Sequence, residues 1–240
     1  MYAGVEITPP FFEVGPKAYM YGSEIVHLAI RADALSEQYG VQIVITPQDA
    51  DLGAVAQNVE RVLVFAQHMD SLTPGRGVGS ALPEALRAAG AVGVLLNHAE
   101  CPVSQEDLAR IISRADEVGL ATLVCADDAA GAANIARLGP NAIIVEAPAL
   151  IGTGRPANAT SADIAEADGA IWRVNPAIRV LHAAGIGNAK DVYDVIAAGA
   201  QGTGSSSAIF TANDPEGVLQ AMIRATREAW DARTRGEATA

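Results

Sequence analysis

Glu146 is the residue with the most direct chemical potential in this sequence, because its carboxyl group stands where a buried strand ends. The predicted buried strand 141–145 precedes it, and a loop rich in proline, glycine and threonine follows it to Gly154. Burial raises the pKa of a carboxyl group toward the range useful to a general base. Gly152 and Gly154 can adopt positive φ and turn backbone N–H groups toward an anion. This combination favours proton abstraction from a small phosphorylated substrate, and a surface glutamate on an ordinary loop is the alternative.

Other polar residues follow other apolar runs at the points where the predicted strands end. Lys17 comes after the first run, His98 ends the fourth, Gly185 follows the seventh, and Ser205-Ser-Ser207 follows the eighth. Taken singly, the lysine could be a solvated loop charge, the histidine a structural residue, and the glycine and serines turn residues. In an α/β barrel the carboxyl ends of all strands meet at one mouth. The shared placement therefore favours one site.

The elements that would position these residues are short apolar strands alternating with helices. Strands without polar alternation are buried on both faces, and eight of them in 240 residues predict one (β/α)8 barrel domain spanning 1–240. A doubly wound open sheet is the alternative. The tail from about residue 234 to 240 is expected to fray. The predicted strands cover 11–15, 41–46, 62–66, 91–96, 121–125, 142–145, 178–182 and 200–204. The predicted helices cover 23–39, 49–59, a segment ending at 89, 104–118, 128–138, 161–174 (capped by Ser161), 190–198 and 215–230.

Composition excludes several classes of function. The net charge of −12, with no basic run, argues against nucleic-acid binding. Two cysteines, Cys101 and Cys125, form neither a disulfide framework nor a metal-ligand spacing. Gly202-Thr-Gly204 does not fit a dinucleotide fingerprint. No apolar run approaches the roughly 20 residues of a membrane span. We expect a soluble cytoplasmic protein without membrane contact.

Three segments together resemble the signature segments of a known family. They are Lys17 with Tyr19, the run Asn97-His98-Ala-Glu100, and Val145-Glu-Ala-Pro-Ala-Leu-Ile-Gly-Thr-Gly154. They are similar to those of the triosephosphate isomerase family, most closely its short archaeal-type branch. The resemblance runs from about Val14 to Leu219, and its most specific part is the lid motif with the preceding glutamate.

The resemblance implies the roles that this family gives to its residues. Glu146 would be the base that moves a proton between adjacent carbons, and His98, as a neutral imidazole, would polarise the carbonyl group. Lys17 would stabilise the charge of the enediolate, and Glu100 would orient the site. Lid closure would exclude water and prevent loss of phosphate from the enediolate. Backbone N–H groups would hold the phosphate at Gly152, Gly185, Ser207 and Ala208.

The same resemblance implies the partners and cofactors. The substrate would be a small phosphorylated sugar. Neither a metal nor an organic cofactor is needed, because proton transfer next to a carbonyl requires only a base, an acid and charge stabilisation. Family members work as dimers or tetramers, so a homo-oligomer is expected. The loop 71–82 is long enough to reach a neighbouring subunit, and a flexible surface loop is the other interpretation.

Departures from the family pattern leave the substrate open. Gly15 stands where the family has an asparagine that contacts the substrate, and Ala147-Pro148 replaces a Pro-Pro pair at the start of the lid. The stretch 202–207 is smaller and more polar than the family's apolar run. A wider mouth could admit a tetrulose phosphate, as in an erythrulose phosphate isomerase. A barrel that binds a sugar phosphate without turnover is a third hypothesis, disfavoured by retention of all three catalytic residue types.

Overall fold

The eight strands of the chain form one closed, all-parallel barrel in sequence order, with the first strand paired to the last. The computed structural model describes residues 1–151, 160–183 and 185–236. This closure confirms the predicted (β/α)8 barrel over an open doubly wound sheet. The strands are β1 Phe11–Val14, β2 Gln42–Ile45, β3 Leu63–Ala66, β4 Gly93–Leu96, β5 Ala121–Ala126, β6 Ala142–Val145, β7 Arg179–His182 and β8 Gly202–Ser205.

Helices follow the strands around the outside of the barrel. Each predicted helical segment contains a helix, although the segment 49–59 divides into a 3-10 turn, Asp49–Asp51, and a short α-helix. A second 3-10 turn, Pro148–Leu150, follows β6, and one short helix after β8 was not predicted. The α-helices of the described residues are α1 Ser23–Tyr39, α2 Leu52–Ala56, α3 Pro83–Ala88, α4 Gln105–Val118, α5 Ala129–Ala136, α6 Ser161–Trp172, α7 Ala189–Ala197, α8 Ser207–Phe210 and α9 Pro215–Thr234.

Capping side chains fix where two of the site-flanking helices begin. Ser104 caps α4, and its hydroxyl oxygen accepts a hydrogen bond from the N–H of Asp107 at 3.1 Å. The prediction that Ser161 caps α6 was wrong, because Thr160 is the cap and Ser161 is the first helical residue. Thr160 forms a full capping box with Asp163, in which each side chain accepts from the other residue's backbone N–H.

The strands bury both faces, as their apolar sequences predict. On β1, Phe12 and Val14 pack into the large cluster shared with the helices, whereas Phe11 belongs to a second cluster. Strand alternation places that second cluster inside the barrel. Its members close the lower part of the barrel and leave the carboxyl-terminal end open for a site. They include Phe11, Val44, Phe65, Leu123, Ile144 and Leu181.

The carboxyl-terminal end of the chain differs slightly from the frayed tail that the sequence predicts. Helix α9 extends to Thr234, so the predicted frayed segment begins with a helical residue, and residues 237–240 lie outside the described part. Within the described ranges, no helix is both long enough and apolar enough to cross a bilayer.

Candidate active site

Lys17 is held in an unusual backbone conformation at the end of β1. Its φ is +47°, a value that costs a residue with a side chain about 1–2 kcal/mol and requires support from its surroundings. That support comes from Gln48 and Gln67, whose side-chain amides donate to the Lys17 carbonyl oxygen at 2.7 and 3.0 Å. The residues after β2 and β3 therefore fix the direction in which the lysine side chain leaves the barrel.

Glu100 connects Lys17 to His98. Its Oε1 accepts from Lys17 Nζ at 2.6 Å, and this hydrogen bond lowers the pKa of the Glu100 carboxyl group. The backbone N–H of Glu100 donates to Nδ1 of His98 at 3.1 Å. The Glu100 side chain is 61% exposed, so its pairing with Lys17 orients the lysine and adds little stability.

The hydrogen bond from Glu100 also selects the tautomer of His98. Because Nδ1 accepts a hydrogen bond from the backbone N–H of Glu100, a neutral imidazole must carry its own proton on Nε2. Nε2 faces the carboxylate of Glu146, with 3.6 Å between Nε2 and Oε1. The preceding residue, Asn97, has φ +58° and is tied to β5 by a bond from its amide to the Cys125 carbonyl oxygen at 3.0 Å. The histidine thus presents a donor to the cavity.

Glu146 follows β6 directly and is nearly buried, with 11% of its side chain exposed. Its backbone N–H continues the barrel by donating to the Ala126 carbonyl oxygen at 3.0 Å. Cys125 lies beside it on β5. Burial raises the pKa of the Cys125 thiol, and the neighbouring negative charge of Glu146 raises it further, so the cysteine stays a neutral, buried thiol beside Glu146.

The loops after β7 and β8 form the other side of the site. Ser205 Oγ donates to the Ile186 carbonyl oxygen at 3.0 Å and joins the two loops. In the part of the chain that the structure describes, the N–H groups of Ser207 and Ala208 have no backbone acceptor, and Ser206 Oγ is buried without a hydrogen-bond partner. Such a group of unused donors suits an anion. Gly185, with φ +73°, precedes this junction.

One cavity of about 940 Å³ at the carboxyl ends of the strands brings the predicted residues together. Its size falls within the range of small-molecule sites. Gly152, predicted to hold phosphate, lies outside the described residues, as do residues 153–159. The predicted residues that line the cavity are Gly15, Lys17, His98, Glu100, Glu146, Gly185, Ser207 and Ala208.

Glu13 also lines this cavity, and the sequence interpretation missed it. Burial raises its pKa to about 8, and the charge of Glu146 adds to the effect, whereas a hydrogen bond from Thr46 opposes it. A signal was present, since an acidic residue within an otherwise apolar strand is rarely buried without a reason. No cluster of three or more His, Cys, Asp or Glu suited to a metal occurs in the described ranges.

A closed parallel barrel with a lysine, a histidine and a glutamate at its carboxyl-terminal mouth defines a (β/α)8-barrel enzyme. The model of one such family, triosephosphate isomerase, matches residues 14–225. The chain belongs to the triosephosphate isomerase family, and it is an isomerase.

Individual relatives agree with this membership. A triosephosphate isomerase from Methanobacterium bryantii is 36% identical over 203 residues, which cover 84% of this chain and 89% of the relative. One from Sulfurisphaera tokodaii is 35% identical over 218 residues, covering 90% and 94%. The crystal structure of triosephosphate isomerase from Bartonella henselae superposes with a TM-score of 0.67 and covers 89% of this chain and 98% of its own. At 18% identity, that structure supports the fold alone.

Proposed function

We propose that this isomerase interconverts dihydroxyacetone phosphate and glyceraldehyde 3-phosphate through an enediolate. The observation that carries the proposal is the 3.6 Å approach of His98 Nε2 to the Glu146 carboxylate at the mouth of the barrel. A base and a hydrogen-bond donor that lie this close together can act on adjacent carbon and oxygen atoms of the same substrate. This is the arrangement that an aldose–ketose isomerisation requires.

The proton transfers follow from the two groups. Glu146 removes a proton from the carbon next to the carbonyl group and returns it to the neighbouring carbon. His98 donates from Nε2 to the carbonyl oxygen, where negative charge develops. His98 then takes up the proton of the hydroxyl group on the neighbouring carbon, so the two oxygens exchange roles and the imidazole ends the reaction neutral. The Glu100 N–H keeps the imidazole in the required tautomer.

Lys17 supplies the positive charge of the site. Its ammonium group lines the same cavity, is held by Glu100 at 2.6 Å, and emerges from a backbone fixed by two glutamines. A preorganised cation stabilises the developing oxyanion without reorganising during the reaction. It also offsets the carboxylates of the cavity, which would otherwise repel an anionic substrate in a protein of net charge −12.

The phosphate of the substrate binds, in this proposal, between the loops after β7 and β8. The unused N–H groups of Ser207 and Ala208 and the unpartnered hydroxyl of Ser206 support this placement. Gly185 contributes to the same pocket. In this arrangement neutral donors bind the phosphate, and Lys17, His98 and Glu146 act on the other, reacting end of the substrate. Gly152 is retained as a predicted fourth backbone donor from the lid.

A coupled assay that offers the two triose phosphates and erythrulose phosphate separately tests the substrate. We expect turnover of the trioses in both directions, because the relatives that match most of the chain carry the triosephosphate isomerase name. The tetrulose alternative has no such support. Turnover of erythrulose phosphate alone would contradict the proposed substrate, and turnover of neither by a folded protein would contradict the proposed reaction.

We also infer that the protein is a homo-oligomer, either a dimer or a tetramer, and that it works in the cytoplasm in sugar-phosphate metabolism. Exposed apolar side chains near the mouth and on the loop 71–82 support the assembly: Tyr19, Tyr21 and Val78. Light scattering on the purified protein measures the mass directly, and a mass equal to one chain of 24.7 kDa would contradict the inference.

A further inference from the structure

Glu13 occupies a position from which it can reach the substrate. It is the third residue of β1, and strand alternation places its side chain on the same inward face as Phe11 and Gly15. Phe11 belongs to the second hydrophobic cluster, inside the barrel, whereas Glu13 lines the open cavity above that cluster. The carboxyl group therefore lies at the floor of the active site, in the cavity shared by Lys17 and Glu146.

Two glycines create the space for this carboxyl group. A Cβ atom at Gly15 would lie 2.9 Å from Glu13 Oε1, and one at Gly204 would lie 2.9 Å from Oε2. Gly204 is also the residue paired with Glu13 across the β1–β8 ladder. A side chain at Gly15 would therefore require the carboxyl group of Glu13 to move, whereas one at Gly204 would also meet the Glu13 backbone oxygen at 2.9 Å. The lack of a side chain at Gly15 therefore leaves the room that the Glu13 carboxyl group occupies.

The hydrogen bonding of Glu13 is incomplete. Thr46 Oγ1 donates to Oε1 at 3.1 Å. Among the residues that the structure describes, Oε2 has no hydrogen-bond partner. Oε2 is not among the fully buried side-chain atoms that lack a partner in the described ranges, so it opens to the cavity and is available to a ligand.

The surroundings of Glu13 set its protonation state. Although Glu13 keeps some exposure to the open cavity, loss of hydration is the largest influence on its carboxyl group and raises its pKa to about 8, so the group is mainly protonated at neutral pH. The titratable groups facing it are Lys17 after β1, Cys125 on β5 and Glu146 after β6, with His98 lining the same cavity from β4. β2 contributes the neutral Thr46, and β8 contributes glycine.

We propose that Glu13 is a further substrate-contacting residue, which hydrogen-bonds an oxygen of the bound sugar phosphate through Oε2. This inference rests on the proposed function. In its protonated form the carboxyl group donates from Oε2 while Oε1 accepts from Thr46, so both of its oxygens are used in the complex. The residue acts beside Lys17 and His98 at the non-phosphate end of the substrate, in space that Gly15 leaves open.

Two variants of Glu13 test the proposal by steady-state kinetics between pH 6 and 9.5. Glu13→Gln keeps the size, accepts from Thr46 and donates at every pH, whereas Glu13→Ala removes the contact. We expect Glu13→Ala to lower kcat/KM by about 10–100-fold. We expect wild-type kcat/KM to fall as the pH rises through about 8, because the donor is lost, and Glu13→Gln to lack this fall. Glu60→Gln, at an exposed glutamate, is the matched control and keeps it.

The outcomes separate this inference from the proposed function. A wild-type protein that does not isomerise triose phosphates overturns both. An active wild type with a Glu13→Gln variant that keeps the alkaline fall overturns the Glu13 inference alone, as does a folded Glu13→Ala variant with wild-type kcat/KM. Should Glu13→Ala fail to fold, the pH profile of Glu13→Gln decides, because a merely structural role would leave that profile unchanged.

Discussion

Nε2 of His98 and Oε1 of Glu146 lie 3.6 Å apart, although their residues follow strands that are separated by β5. The histidine is oriented by the Glu100 N–H, and the glutamate lies beside the buried Cys125. Neither group depends on the other for its position, because each is fixed by its own strand end. A substrate that enters between them meets a donor and a base already in place.

Removal of the positive charge at position 17 tests the electrostatic part of the mechanism. We expect Lys17→Ala to lower kcat/KM by about 10²–10³-fold, which is the typical effect of losing one preorganised oxyanion-stabilising group. The exposed Lys190, which pairs with Asp194 on α7, provides the control. Lys190→Ala should have wild-type kinetics. Equal activities of the two variants would contradict a role for Lys17 in the transition state.

The phosphate site is tested by adding a negative charge where unused donors converge. Ser207→Asp places a carboxylate beside the N–H groups of Ser207 and Ala208, and we expect it to raise KM by at least about tenfold because like charges repel. Asn213→Asp adds the same charge at an exposed position just after α8. That variant should keep its KM. Inhibition by inorganic phosphate, measured for both, should weaken only in Ser207→Asp.

The raised pKa of Glu13 makes stability depend on pH in a defined direction. A carboxyl group whose pKa rises from 4.5 to about 8 on folding holds its proton more tightly in the native state. Its contribution to stability is complete below pH 4.5 and is lost as the pH rises through about 8. Glu13→Gln should therefore gain stability over wild type as the pH rises from 5 to 9. The gain has a ceiling on the order of 5 kcal/mol, reduced because the residue is only partly buried.

Urea unfolding of both proteins at several pH values measures this difference. The free energy of unfolding of Glu13→Gln minus that of wild type should increase between pH 5 and 9 and then level off. A difference independent of pH would show that the Glu13 carboxyl group titrates normally, and it would remove the basis for a protonated donor at neutral pH.

Much of the fold follows from the sequence because most strands are short, mainly apolar runs that end beside a glycine, proline or polar residue, and β8 is the clearest exception. The run 62–66 and the helix 23–39 illustrate this, since their boundaries in the structure lie within one residue of the pattern. Thr160 was missed as a cap because Ser161 beside it has the same chemistry. Helix α8 was missed because four residues are too short for a helical period to be visible.

The site was less accessible to sequence reasoning than the fold. Residues at strand ends were identified because parallel strands direct them to one mouth. Glu13 lies within β1 and not at its end. A side chain there contributes to the site only if neighbouring residues leave room for it. That room comes from Gly204, which is distant in sequence and adjacent only through the β1–β8 pairing. The contact between Glu100 and Lys17 likewise depends on side-chain reach between two loops.

Deuterium incorporation from heavy water into dihydroxyacetone phosphate, followed by NMR, tests the central claim most directly, because it reports proton removal from carbon by Glu146. We expect wild-type protein to catalyse the exchange at the carbon that carries the hydroxyl group. We expect folded Glu146→Gln to exchange about 10²–10⁴-fold more slowly, the usual contribution of a general base. Exchange at the wild-type rate in Glu146→Gln would contradict the account.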